Sequence, residues 1–130
     1  MIRVLVVADS GAAMAAVTDS LWAIAGVEIA GYSSGRAPVA AVVHAVQPDV
    51  AVVDQMSWTG LALNRIQEIR AAQPDVAVLG LSDRDADWVI AGLRAGANAV
   101  VPRDLQPATL ALVLREVTGG ASATPEMSAA

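Results

Sequence analysis

Asp9, Asp54, Ser82 with Asp83, and Arg103 with Asp104 share one feature: each stands directly after a short run of apolar residues. The runs are VLVVA (4–8), VAVV (50–53), VAVLGL (76–81) and ANAVVP (97–102). Two carboxylates brought to about 5 Å, the spacing of neighbouring strands, suit a hard divalent cation with oxygen ligands, Mg²⁺ being the usual case. A hydroxyl at Ser82 and a guanidinium at Arg103 would add a hydrogen-bond donor and a fixed positive charge. Such a set is equipped to hold a phosphoryl group. Whether these residues meet depends on the elements that carry them.

The four runs are Val-rich and continuous, the pattern of strands covered on both faces, as in a parallel sheet. A fifth run, VEIAGY (27–32), alternates and reads as a more exposed edge strand. Helical patterns fall between the runs, over 11–25 with Asp9 or Ser10 as N-cap, 38–46 opening at Pro38, 61–72, 85–95 stopping at Gly96, and 107–118. QPDVAVVD (47–54) recurs as QPDVAVLG (73–80), 26 residues later: Pro stops a helix, Asp turns the chain and the apolar run is the strand. Five βα units follow, and such alternation means a parallel sheet with right-handed crossovers. The fold class is a single doubly wound, five-stranded α/β sheet of the flavodoxin-like kind. In the order 2-1-3-4-5 the first and third strands are neighbours, so Asp9 and Asp54 face each other at the carboxyl ends, where such sheets bind ligands. Beyond Gly119-Gly120 the composition shifts to ASATPEMSAA. The division is therefore a domain over 1–119 and a linker or disordered tail over 120–130.

The composition narrows the chemistry. The chain has 130 residues, of which 55% are hydrophobic and 16% charged, enough for one well-filled core and too apolar for disorder. No apolar run reaches the ~18 residues of a membrane span, and Met1-Ile2-Arg3-Val4 enters a strand with no signal-peptide pattern, so a cytoplasmic protein is expected. There is no Cys, and all 8 basic residues are Arg; thiolate chemistry, Schiff-base lysines and a P-loop are excluded. The one His, His44, lies in a helical pattern and reads as a surface residue. A net charge of −5 argues against nucleic-acid binding by this chain. ADSGAAM after the first strand has one Gly, so the dinucleotide fingerprint is not met, and no nucleophile–base pair exists; an enzyme is not expected. Trp22 and Trp88 fall among apolar helical positions and read as packing anchors. Trp58 sits in the loop after Asp54, where a large aromatic would cover the site or meet a partner.

In their order and spacing, IRVLVVADS, QPDVAVVD, VAVLGLSD and LRAGANAVVPRD resemble the CheY-like receiver domain of bacterial response regulators, over residues 2–119. The resemblance implies that Asp54 is the phosphoacceptor, that Asp9 contacts Mg²⁺, that Ser82 contacts the phosphoryl group, and that the Met56 carbonyl completes the metal's protein ligands. Arg103 stands where the family has Lys, Ala8 where it has the first acid of its acidic pair, and Val100 at its aromatic switch position. The loop QMSWTG also departs, with Gly60 two positions early. The combination implies an atypical receiver, or pseudo-receiver, with weak or absent phosphorylation at Asp54 and weakly held Mg²⁺. The alternative is a fully phosphorylatable receiver served by a sensor His kinase. VTGGASATPEM resembles the linker of regulators with a LuxR-type helix-turn-helix domain. The implied partners are a His kinase, a second copy of the chain, and DNA only through a helix-turn-helix domain absent from this chain.

Overall fold

The computed structural model describes residues 1–9, 11–57 and 59–129, with side chains as far as Thr118 except Thr59. Strands and helices alternate: β1 (Ile2–Val7), α1 (Ala12–Trp22), β2 (Val27–Ser33), α2 (Ala40–Val46), β3 (Val50–Asp54), α3 (Thr59–Ala72), β4 (Ala77–Ser82), α4 (Ala86–Ala95), β5 (Ala99–Pro102) and α5 (Pro107–Ala129). The strands form one sheet in the order β2-β1-β3-β4-β5, every neighbouring pair parallel. This is the doubly wound topology that the alternating patterns call for, with β2 at an edge and only partly buried.

Side-chain alternation builds two cores, one on each face of the sheet. Val4, Val6, Val50, Val52, Leu79 and Leu81 pack with Val17 and Leu21 of α1 and Leu110 and Leu114 of α5. Leu5, Val7, Ala51, Val53 and Val78 pack on the other face with Val43, Ile66, Ile69 and Trp88 of α2, α3 and α4. Strands covered on both faces must be apolar at every position, which is why β3 and β4 read as unbroken runs. Each fully buried Val, Leu or Ile contributes up to about 1.5–3 kcal/mol. The sheet is therefore a stiff platform for the loops at its carboxyl edge.

Trp88 is the anchor that its position suggests, buried over Gly80 and Gly92. A Cβ at Gly80 would stand 3.2 Å from the Trp88 ring and 3.1 Å from Val100, so small residues on β4 and α4 make the room for the indole. Trp22 is not an anchor; it is 69% exposed. The buried stripe of α1 and its exit is Val17, Leu21 and Ile24, and Trp22 lies one residue, ~100°, round from Leu21. The last helix also departs from its sequence pattern. Its backbone continues to Ala129 through Gly119, Gly120 and Pro125, past the point where the sequence reads as a linker.

Candidate functional site

The register of the sheet brings the singled-out residues to one edge. Val7 pairs with Val53, Asp54 with Leu81, and Ser82 with Pro102. Asp9 lies two residues beyond β1 and Arg103 one beyond β5. Asp9, Asp54, Met56, Ser57, Asp83 and Arg103 line a cleft of about 270 Å³. Four of the five residues expected there, Asp9, Asp54, Met56 and Arg103, thus share one opening.

Asp54 is buried at 2% exposure, yet both its carboxylate oxygens are bonded. Arg103 Nε donates to Oδ1 at 3.1 Å and Nη2 to Oδ2 at 2.9 Å. The same Nη2 donates to the Gln55 carbonyl at 2.7 Å, and Nη1 lies 3.8 Å from Asp83. A planar guanidinium matches a carboxylate in this two-point way, whereas an ammonium meets it as a point charge. Asp104, the residue after Arg103, pairs instead with Arg84 at 2.6 Å on the surface.

Asp9 does not cap α1. Its Oδ2 accepts from the Ser57 backbone N–H at 3.0 Å and from the Ser57 hydroxyl at 3.1 Å, which ties the β3–α3 loop to the end of β1. The cap residue of α1 is Gly11, at φ 86° with no side-chain cap bond. That left-handed conformation is open to glycine without strain, and it lets the chain turn out of the cleft. Ser10 and Trp58, named above as cap and cover, lie outside the described residues.

Ser82 is separated from Asp54 by strand alternation. Leu81, the partner of Asp54 in register, belongs to the α1–α5 face, so the next residue turns towards α4. The Ser82 hydroxyl accepts from the Asp85 N–H at 3.1 Å and donates to Gln55 Oε1 at 3.4 Å. Gln55 Oε1 also accepts from the Asp83 N–H at 3.0 Å, and its amide donates to Asp85 Oδ2 at 3.1 Å. Asp85 Oδ1 in turn caps α4 by accepting from the Trp88 N–H at 3.1 Å. Gln55 therefore fastens the β4–α4 loop to the residue after Asp54. Sequence reasoning missed Gln55, Ser57 and Asp85 because loop contacts carry no periodicity; adjacency to Asp54 was the one signal for the first two.

Burial is the largest influence on Asp54 and pushes its pKa up to about 6. Arg103 pulls it down by charge and hydrogen bond, while Asp9 and Asp83 add smaller upward pushes. The desolvation of a nearly inaccessible carboxylate outweighs one half-exposed cation.

These residues do not fit Mg²⁺ as they are arranged. Both oxygens of Asp54 are held by Arg103, and one oxygen of Asp9 is held twice by Ser57. Ala8, buried beside β1, supplies no third carboxylate. Among the described residues no group of three or more His, Cys, Asp or Glu is placed to hold a metal ion. The guanidinium supplies the positive charge that a cation would bring.

The strand order and the acid-lined cleft at the carboxyl ends of β1 and β3 define the receiver-domain fold. Solved structures agree. The signal receiver domain of the putative response regulator NarL from Mycobacterium tuberculosis matches with a TM-score of 0.76 and 23% identity, over 92% of this chain and 97% of that one. A LuxR-family two-component response regulator from Aurantimonas sp. SI85-9A1 matches with a TM-score of 0.80 and 16% identity, over 92% of this chain and 86% of that one. Among curated proteins, the DNA-binding transcriptional activator DevR/DosR of Mycobacterium tuberculosis is 28% identical over 131 aligned positions, covering all of this chain. The chain spans 60% of the length of that relative. No family model matches it. Its solved structural neighbours are receiver domains and response regulators, LuxR-family regulators among them, in keeping with the resemblance carried by the four motifs.

Proposed function

We propose that this chain is an atypical receiver module of two-component signalling, the N-terminal regulatory part of a transcription regulator, with Asp54 a poor phosphoacceptor. Residues 1–119 are the module, and 120–130 lead towards a DNA-binding domain outside this chain. It acts in the cytoplasm, by pairing with a second copy without needing phosphate, and it is not itself an enzyme. Among the described residues no helix is long and apolar enough to cross a membrane, which accords with that reading.

One observation carries the reading: Arg103 occupies both oxygens of Asp54. To take a phosphoryl group, an Asp54 oxygen must present a lone pair to phosphorus along the line of the leaving group. A buried carboxylate held at two points gives one lone pair of each oxygen to the guanidinium, and the attached cation weakens the remaining pairs as nucleophiles. Receiver domains bind Mg²⁺ at their phosphorylation site, and here the donors are already engaged. Arg103 also joins the loops after β3 and β4 through the Gln55 carbonyl and Asp83. It thereby holds together what a bound phosphoryl group would otherwise bridge. Any Mg²⁺ is weakly bound.

The second reading, a receiver fully phosphorylated by a His kinase, draws support from the placement of Asp9 and Asp54 in one cleft. Intact-mass spectrometry after incubation with acetyl phosphate and Mg²⁺ separates the two. The first reading expects the unmodified mass to dominate. A stoichiometric single phosphoryl adduct that disappears in Asp54→Asn would establish the second.

A further inference from the structure

The segment between β2 and α2 is fastened to α3 at two places. Arg65 Nη1 donates to the Ala37 carbonyl at 2.6 Å, and Glu68 Oε1 accepts from the Val39 N–H at 2.7 Å. Arg65 and Glu68 stand one turn apart on α3, 3.4 Å from each other, at 13% and 26% exposure. Val39 is the cap residue of α2 and has no side-chain oxygen, so a carboxylate from another helix stands at the end where negative charge is favoured. Among the described residues Arg65 Nε is buried without a hydrogen-bond partner. A buried donor left unmet is costly, so the grip on Ala37 is kept at some expense to stability.

Between these fastenings and the cleft lies Gly35. It is buried at φ 78°, and its backbone rests on the Met56 side chain so closely that a Cβ there would stand 2.6 Å from Met56 Cε. Its N–H donates to Ser33 Oγ at 3.2 Å, and the Ser33 carbonyl accepts from the Ala8 N–H at 3.1 Å. The near end of this turn is thereby fixed beside the residue before Asp9. Met56, 2% exposed, is covered by the turn. The residue after it is Ser57, which holds Asp9 Oδ2 twice.

We propose that Arg65 and Glu68 are positioning residues for the cleft. By holding Ala37 and Val39 they keep the Gly35 turn down on Met56, and Met56 so covered sets Ser57 where it takes Asp9 out of use. The proposal rests on the reading of the module as an atypical receiver whose donors are already engaged, and it names what engages one of them. Helix α3 begins at Thr59, two residues past Ser57. One helix thus anchors the site loop at its own start and, about two turns further on, anchors the turn that lies over that loop. Coupling between distant groups needs a continuous series of contacts that shift together. Each contact here is a hydrogen bond or a close packing contact, and packed interiors pass displacement on because they have no slack to absorb it.

Amide hydrogen exchange of the full chain tests this. Glu68→Ala removes the acceptor of the Val39 N–H and a partner of Arg65. It should speed exchange at Ser57 about tenfold beyond what its loss of global stability produces. Arg65→Ala should act in the same direction, and it keeps the test open if Glu68→Ala does not fold. Glu68→Gln retains an acceptor oxygen and should leave Ser57 close to the parent. The Asp83 amide, held by Gln55 in the β4–α4 loop, is the control and should follow global stability only. Met56→Ala breaks the series beneath Gly35, so it should speed Ser57 by itself, and adding Glu68→Ala should change Ser57 little further. Urea unfolding of each variant supplies the stability correction. Calorimetric titration with Mg²⁺ reads the effect on Asp9: in an Arg103→Ala background, Glu68→Ala should strengthen binding several-fold further. Exchange at Ser57 that only follows global stability, or that rises as much in Glu68→Gln as in Glu68→Ala, would overturn the proposal, and so would Mg²⁺ binding that Glu68→Ala leaves unchanged in that background. Complete phosphorylation of the parent by acetyl phosphate would overturn the atypical-receiver reading and leave the Ser57 result standing.

Discussion

Arg103 and Asp54 are joined at two points, Nε to Oδ1 at 3.1 Å and Nη2 to Oδ2 at 2.9 Å, with Asp54 2% exposed and Arg103 38% exposed. The carboxylate end of the pair has left water and the guanidinium end has not. Desolvation therefore falls mainly on Asp54, and its pKa rises to about 6 although its nearest neighbour is a cation. How the cleft responds to protons, metal and phosphate follows from that asymmetry.

The first consequence is a pH dependence of stability. A folded-state pKa of about 6 against an ordinary 3.8 means that the folded protein holds the proton more tightly than the unfolded chain. The stability from this group is fully present below about pH 4 and is lost as pH rises through about 6. Asp54→Asn mimics the protonated form. It should match the parent near pH 4 and exceed it by about 1–3 kcal/mol near pH 8. Urea unfolding at intervals from pH 4 to 8 reads the difference, and a parent and variant with parallel pH profiles would refute it.

Metal binding should be weak for a related reason. With one carboxylate of the usual set absent at Ala8 and both oxygens of Asp54 engaged, Mg²⁺ should bind no tighter than about millimolar, since affinity follows the count of charged ligands. Arg103→Ala frees Asp54 and should strengthen Mg²⁺ binding several-fold, although Ser57 still holds Asp9. Isothermal titration calorimetry of the two proteins gives the comparison. Micromolar binding by the parent would contradict the arrangement of the donors.

The fold was legible because β3 and β4 are buried on both faces and each follows the same QPD stop signal. Strand ends then located Asp9, Asp54 and Arg103 without any knowledge of side-chain direction. Direction is where the sequence runs out. That Ser82 turns towards α4 while Asp54 turns towards α1 depends on a register offset of one residue between β3 and β4. That Arg103 reaches Asp54 while the adjacent Asp104 pairs with Arg84 depends on how tertiary packing brings the loops together. Trp22 was misread for a simpler reason: a hydrophobic residue near an apolar stripe is not on it when it stands one residue out of phase.

Gln55 should prove structural for the β4–α4 loop. Its side chain accepts from the Asp83 N–H and the Ser82 hydroxyl and donates to Asp85, the cap of α4. Gln55→Ala leaves those groups without their partner in a partly buried setting and should cost about 1–3 kcal/mol. The local sign is sharper than the global one. Amide hydrogen exchange at Asp83 and Trp88 should accelerate beyond the change that lost stability alone produces, while amides of β1 should follow stability only. Uniform acceleration would mean that Gln55 does not hold the loop.

Repair of the site is the most demanding prediction. Arg103→Lys replaces a two-point grip by a single ammonium, which leaves one Asp54 oxygen free to approach phosphorus while keeping a charge for the phosphoryl oxygens. Ala8→Asp restores the missing acid, but it does so at a fully buried position packed within the α1–α5 core. Alone it should destabilise the protein by about 1–3 kcal/mol, since it places a polar group in that core. Each charged hydrogen bond regained in the transition state is worth about 1.5–3 kcal/mol, or roughly ten- to a hundredfold in rate. The two substitutions act on one phosphoryl group, so they should couple, and the double variant should exceed the product of the singles. With acetyl phosphate and Mg²⁺, intact-mass spectrometry should show the double variant gaining one phosphoryl group measurably faster than the parent. Adding Asp54→Asn should abolish the gain. A double variant that stays inert would locate the defect in the loop from Gln55 to Gly60. There Ser57 draws Asp9 out of use and fixes the path of the Met56 carbonyl, and two changes elsewhere in the cleft leave that path as it is.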